Sequence, residues 1–148
     1  MAKARVIRTS GLVEAVSFPE TANAREKLDW YYKVLGCDII DVARPYGLEK
    51  DAKATGLKHL VGKYCMIVDD EGLLKEDFEV NVIASLLYGY DDHGQPLAGD
   101  VLVCKNEMTD EGMDSVGMDD ADLRMLFDAI SRLVAKHNKK VSEQDGRY

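Results

Sequence analysis

Three consecutive aromatic residues give the sequence its clearest potential for ligand chemistry: Trp30, Tyr31 and Tyr32. On a helix they would fan over about 200°, so one face cannot bury all three. Aromatic planes beside guanidinium and ammonium groups suit nucleobases and phosphates. Arg44 and Lys63 are basic residues that could complete such a site. We therefore predict that these five residues bind a ligand; core packing and dimer contact are the alternative role for the aromatics.

Two acidic clusters could instead hold a divalent cation. They are residues 69–71 and the group Asp110, Glu111 and Asp114. The second cluster lacks the glycine turn and the final glutamate of an EF-hand loop. Acids of turns and helix caps are the simpler interpretation of both clusters, so we predict no metal and no cofactor. A divalent-metal-dependent enzyme centred on residues 69–71 is the alternative.

The sequence does not match the residue spacing of two common catalytic motifs, the phosphate-binding loop and the serine nucleophile elbow. Five residues separate Gly56 from Gly62, where a phosphate-binding loop needs four, and Tyr64 replaces the hydroxyl residue that would hold magnesium. No serine lies in a Gly-x-Ser-x-Gly elbow. We therefore predict no catalytic residues and a protein that is not an enzyme.

The cysteines are odd in number and widely spaced, without the Cys-x-x-Cys or Cys/His spacing of a zinc site. Each one begins or ends an apolar run. We expect them to be reduced, buried core residues in a reducing compartment. They are Cys37, Cys65 and Cys104.

Charge is distributed unevenly along the 148 residues, whose net charge is −8. Residues 66–128 contain 17 acidic side chains against 3 basic ones, whereas the segments on either side have a basic excess. Because nucleic-acid binders present a basic face to phosphate, we expect no duplex nucleic acid as a partner. The acidic stretch could be a solvated surface, a cation site or a face directed at a basic protein.

The elements that must position these residues are short strands and helices. Alternating apolar residues around a turn at Gly11 predict a hairpin over residues 3–17. Further strands are expected at 37–43, 64–68 and 100–105. Residues 106–117, with two methionines, two glycines and four acids, predict a loop.

Helix predictions rest on caps and on apolar residues at three- and four-residue spacing. The predicted helices cover residues 24–35, 81–88 and 120–137, whereas 48–54 could be either a short helix or a loop. The element order indicates an α+β fold, a mostly antiparallel sheet of about four to five strands with three helices packed on one side of it.

The length is that of one domain. We expect a single globular domain over residues 1–140 and a flexible C-terminal tail over 141–148. No apolar run is long enough to span a membrane or to form a secretory signal, so we expect a cytoplasmic protein without a membrane partner.

Three segments carry a family resemblance: residues 64–75, 81–89 and 98–104. They contain an Asp-Glu-Gly turn, an Asn-x-x-Ala helix start and a Gly-Asp-hydrophobic strand, preceded by a Val-Gly step at residues 61–62. Over residues 4–105 the chain resembles a family of small proteins of bacteriophages, plasmids and their bacterial hosts, filed as a domain of unknown function. Lys63 stands where a second glycine is expected, and the family offers no catalytic residues to carry over.

The resemblance implies an accessory protein of a phage or mobile element that works by binding inside the host cell, with host defence as its target. Residues 66–128 could mask a basic surface of a host protein. Alternatively, the five predicted site residues could sequester a small anionic, nucleotide-like ligand at a subunit boundary. We expect a homo-oligomer; a plain dimeric interaction module that pairs through the last helix is a further alternative.

Overall fold

The computed structural model describes residues 3–110 and 112–145, in which six strands form one antiparallel sheet. The strand order is β2-β1-β5-β4-β3, and β6 pairs with the outer half of β5. This arrangement confirms the predicted α+β fold and adds one strand to the expected number. The strands are β1 (Lys3–Ile7), β2 (Val13–Ser17), β3 (Ile40–Ala43), β4 (Tyr64–Asp69), β5 (Val101–Thr109) and β6 (Gly112–Val116).

Five α-helices and two 3₁₀ turns, Lys58–Leu60 and Gly72–Leu74, accompany the sheet in the described ranges. The segment 48–54, for which the sequence left helix and loop open, is helical. The helices are α1 (Ala24–Leu35), α2 (Tyr46–Ala54), α3 (Val82–Tyr88), α4 (Tyr90–His93) and α5 (Asp120–Asp145).

Local capping chemistry sets the helix ends. At the start of α1, the Asn23 side chain accepts from the Glu26 N–H at 2.9 Å, and the Glu26 carboxylate accepts from the Asn23 N–H at 3.3 Å. Gly36 ends the helix in the left-handed conformation, at φ +63°. At the start of α3 the Asn81 side chain accepts from the Ala84 N–H at 3.0 Å, without a reciprocal bond. These predicted boundaries are confirmed because each is decided by neighbours in the sequence.

Helices cover both faces of the sheet, so the expectation of helices on one side is wrong. Along β4, alternate residues enter two separate cores. Tyr64, Met66 and Val68 pack with α2, α3 and α5 in what we call the first core, whereas Cys65 and Ile67 pack under α1 in the second core. The unbroken apolar run of β4 is typical of a strand buried on both sides.

The segment 106–117 is not a loop, contrary to the prediction from its composition. β5 continues to Thr109, and β6 returns antiparallel to it, forming a two-stranded projection that we call the hairpin arm (residues 105–109 and 112–116). Met108 and Met113 are paired across the arm and are 70% and 60% exposed. The acidic residues of this segment have a low propensity for β-strands, so its composition predicted a loop. Pairing between the two strands compensates for that low propensity.

The three cysteines are free thiols and are buried, as the sequence predicts. Cys65 and Cys104 lie directly opposite each other on β4 and β5. The hydrogen bond to Cys65, together with burial, raises the pKa of Cys104 well above the ordinary value. Cys65 and Cys104 both belong to the core that α1 covers.

The final helix extends further than the sequence predicts. α5 runs to Asp145, so most of the predicted tail is helical, and residues 146–148 lie outside the described ranges. Its apolar stripe packs on the first core through Leu123, Leu126 and Ile130. Among the described residues, no helix combines the length and apolar character that spanning a bilayer requires.

Helix α2 approaches α3 through a glycine. A Cβ at Gly47 would overlap the carbonyl oxygen of Leu86 and lie 3.0 Å from the Gly89 nitrogen. We therefore expect Gly47→Ala to push the helices apart and lower the free energy of unfolding by about 2 kcal/mol. Chemical denaturation measures this change.

The matched control is Lys53→Ala, an exposed change on the same helix, which should alter stability by less than about 0.5 kcal/mol. Equal stability of the Gly47→Ala variant and the unaltered protein would contradict this packing.

Candidate binding site

The predicted aromatic residues lie on α1, which covers the second core. Tyr31 is buried there beside the free thiols of Cys65 and Cys104, and burial raises the pKa of Tyr31. The Trp30 ring meets Phe18 edge-on, with 5.5 Å between ring centroids. Tyr32 is partly exposed. Two of the three aromatics therefore serve packing in this structure.

Arg44 follows β3 and interacts with α2. Its Nε donates to Glu49 at 2.7 Å, and its guanidinium lies 5.4 Å from the centre of the Tyr46 ring. The other oxygen of Glu49 accepts from the Gly62 N–H at 2.8 Å. The buried Glu49 carboxylate thus ties α2 to the segments before and after it.

Lys63 belongs to a buried ionic junction at the start of α5. Its Nζ lies 2.8 Å from one oxygen of Asp122, and Lys105 lies 3.1 Å from the other. Asp122 also accepts from the Asp119 N–H, and the Tyr64 hydroxyl donates to the Asp122 carbonyl at 2.6 Å. Burial by itself would raise the pKa of Asp122, but hydrogen bonds from Lys63, the Asp119 backbone and Lys105 lower it to about 2.

The five predicted residues are therefore distributed over both faces of the sheet. Trp30 and Tyr31 pack in the core between α1 and the sheet, whereas the ionic partners of Arg44 and Lys63 belong to α2 and α5 on the opposite face. Ligand binding by these residues stays a prediction.

A different segment has the geometry of a recognition surface. Residues 70–82, which we call the acidic–apolar loop, connect β4 to the start of α3. Asp69 and this loop together contain six acidic residues and one lysine, interleaved with leucine, phenylalanine and valine.

The first part of the loop is fixed at Asp69 and Gly72. One carboxylate oxygen of Asp69 accepts from the Glu71 N–H at 3.0 Å, and the other pairs with Lys75 at 2.6 Å. Gly72 is buried so closely against Ala98 that a Cβ would lie 2.8 Å from its carbonyl oxygen. These contacts hold the chain against the segment that leads into β5.

The last part of the loop is fixed by Asn81, which is fully buried. Its side-chain amide donates to the carbonyls of Ile7 at 2.8 Å and Gly99 at 3.0 Å. Its backbone N–H donates to Leu97, while Val80 forms an isolated bridge with Ala98. Both ends of the loop are thus attached to the sheet.

Along the acidic–apolar loop, large apolar side chains face solvent. Leu74 is 82% exposed and Phe78 is 47% exposed, and Leu73, Val80 and Val82 are also exposed. The acidic members of the same segment are exposed beside them: Asp70, Glu71, Glu76, Asp77 and Glu79. The loop therefore presents apolar groups surrounded by negative charge.

Two grooves flank the loop and share Asp69 and Gly72 in their walls. A groove of about 360 Å³ on one side has acidic walls at Asp41 and Asp70 and an apolar wall that includes Leu74. A groove of about 240 Å³ on the other side includes Phe78, Asp77, Glu79 and Asp100. Such grooves can receive side chains that combine an aliphatic stem with a positive end.

The remaining acids of residues 66–128 do not extend this surface into a single face. Several form ion pairs elsewhere, as Asp114 does with Lys27 at 2.8 Å, and its pKa is lowered mainly by that hydrogen bond. Asp91 and Asp92 pair with Lys140 and Lys50 beside α4. The charge excess is thus divided between ion pairs, the exposed loop and exposed acids elsewhere, such as Asp120.

The clusters considered for a divalent cation have other contacts. Within residues 3–110 and 112–145, no three His, Cys, Asp or Glu side chains lie close enough to hold a metal ion. The Asp69 carboxylate forms an ion pair with Lys75 and accepts a hydrogen bond from the Glu71 N–H. Glu111 lies outside the described residues, so the second cluster is not described as a group.

Sequence reasoning identified the acids of the loop but not its exposed apolar residues. The signal was the run from Leu73 to Phe78, in which apolar and acidic residues mix without a helical or strand period. Such residues cannot all turn inward on one face. Their exposure follows from that lack of period.

The junction around Asp122 gives a prediction about stability. Because its pKa is lowered from 3.8 to about 2, its stabilisation is present above pH 4 and is lost as the pH falls through about 2. We expect Asp122→Asn to lower the free energy of unfolding by about 2 kcal/mol at pH 7. Denaturation measured from pH 7 to pH 2 should show this difference shrinking.

Asp120→Asn is the matched control, because Asp120 is an exposed acid in the same helical turn. It should change stability by no more than about 0.5 kcal/mol. A difference for Asp122→Asn that stays constant down to pH 2 would show that the carboxylate charge is not the stabilising group.

Comparisons with protein-family models, with curated proteins and with solved structures found no match to this chain.

Proposed function

We propose that the protein acts by binding, and that its acidic–apolar loop docks on a basic surface of another protein. The observation that carries the proposal is the exposure of Leu74 and Phe78 among five exposed acids, in a segment attached at both ends. Large exposed apolar side chains with a polar border are typical of interaction sites.

The chemistry of the loop determines the kind of partner. Apolar side chains gain free energy when they leave water, at about 25 cal/mol per Å². The surrounding carboxylates favour partners with lysine or arginine and repel acidic ones. A basic protein surface with an apolar centre satisfies both requirements.

The attachment of the loop at both ends also favours binding to a partner. Because Asp69, Gly72 and Asn81 fix its ends, little backbone ordering remains to oppose binding. A preformed surface needs no catalytic group, which agrees with the absence of a recognised catalytic motif in the sequence.

The family resemblance supplies a biological setting for this proposal. A phage or mobile-element protein that covers a basic groove of a host protein would block access of the natural acidic ligand, nucleic acid included. We propose a host defence protein as the target, and cytoplasmic action in the host cell.

A basic amphipathic helical peptide, with leucine along one side and lysine along the other, is a defined probe of the loop. We expect the double variant Leu74→Ser, Phe78→Ser to bind this peptide at least tenfold more weakly, because two apolar anchors are lost without a change in charge. Isothermal titration calorimetry measures the dissociation constants.

The matched control is the double variant Met108→Ser, Met113→Ser on the hairpin arm. It removes two side chains of comparable exposure and also leaves the net charge unchanged. Its dissociation constant should stay within twofold of the unaltered protein. Equal weakening in both double variants, or no weakening in the loop variant, would refute docking at the loop.

A further inference from the structure

The two outer edges of the sheet differ in how their backbone groups are used. β2 and β3 end the strand order, so each has one side without a neighbouring strand. On β3, the Asp70 N–H donates to Ile39, which places the backbone groups of Ile40 and Val42 on the outer side. The Val42 N–H is occupied by the Asp41 carboxylate at 2.8 Å. This edge is therefore partly blocked.

The outer edge of β2 has no such protection. The Arg8 N–H donates to Leu12 at 2.8 Å, so the alternation of an antiparallel pair directs the backbone groups of Val13, Ala15 and Ser17 outward. Within residues 3–110 and 112–145, no residue bonds these three N–H groups. Ala15 and Ser17 are exposed, and the small Ala15 side chain lies at the middle of the edge.

We propose that β2 is a dimerisation edge, on which a second copy of this chain pairs its own β2 in antiparallel orientation about a twofold axis at Ala15. The pairing would join two six-stranded sheets into one continuous sheet. It is independent of the loop and of the function proposed for it.

The register follows from the sequence of the strand. A twofold axis at Ala15 places Val13 opposite the partner's Ser17, and Ala15 opposite the partner's Ala15. All of these residues direct their backbone groups outward, so each pair exchanges two N–H···O bonds. The edge is thus complementary to itself, as a twofold interface requires.

The charges near the edge also favour a second copy. The register sets Glu14 opposite the partner's Val16, so no like charges face each other directly. Arg8 pairs with Glu14 at 3.2 Å and with Asp100 at 2.8 Å. The edge belongs to the part of the chain with a basic excess, so two chains of net charge −8 can meet away from their acidic stretches.

The test is the mass in solution of the Ala15→Pro variant, measured by light scattering during size-exclusion chromatography. Proline removes an N–H that points away from β1 and is tolerated on edge strands, so the fold should persist. We expect the mass to fall from twice 16.5 kDa to 16.5 kDa. Val42→Pro, at an outward position of the other edge, is the matched control and should remain dimeric.

Cross-linking locates the interface independently, and it decides the question if Ala15→Pro fails to fold. The native cysteines are buried, so an Ala15→Cys thiol is the accessible one in the described chain. Mild oxidation should cross-link this variant into a dimer, whereas Leu12→Cys, exposed but away from the axis, should stay uncross-linked. A monomeric unaltered protein, a dimeric Ala15→Pro variant, or equal cross-linking of both cysteine variants would overturn the proposal.

Discussion

The buried side chain of Asn81 is the constraint on which the exposed loop depends. Its amide group donates to Ile7 and Gly99, and its oxygen accepts from the Ala84 N–H. One residue therefore joins the end of β1, the approach to β5 and the start of α3. A buried amide with these partners is held rigidly, because each lost hydrogen bond would leave a polar group without water. This rigidity allows the neighbouring chain to expose apolar residues without collapsing onto the core.

The sequence predicted those parts of the fold that neighbouring residues decide. The capping box at Asn23 and the glycine end of α1 need only a few adjacent side chains, and both were correct. The strand character of residues 106–117 depends on pairing across the hairpin, so composition alone suggested a loop. The covering of both sheet faces was missed for a similar reason, since it depends on where distant helices pack.

The candidate site was predictable only in part. The acids of residues 66–128 were evident, but which of them form ion pairs and which stay exposed depends on distant partners such as Lys27 and Lys63. The aromatic group of α1 suggested ligand chemistry, and its surroundings in the fold are a core of apolar residues. Residue type indicated possible chemistry in both cases, whereas three-dimensional position decided which side chains remain available to a partner.

Hydrogen–deuterium exchange, followed with and without the leucine–lysine peptide, tests docking at the loop most directly. We expect slower exchange of backbone amides over residues 73–80 when the peptide is bound, because the peptide excludes water from this segment. Unchanged exchange over residues 73–80, with protection confined to α1 or to the hairpin arm, would contradict it.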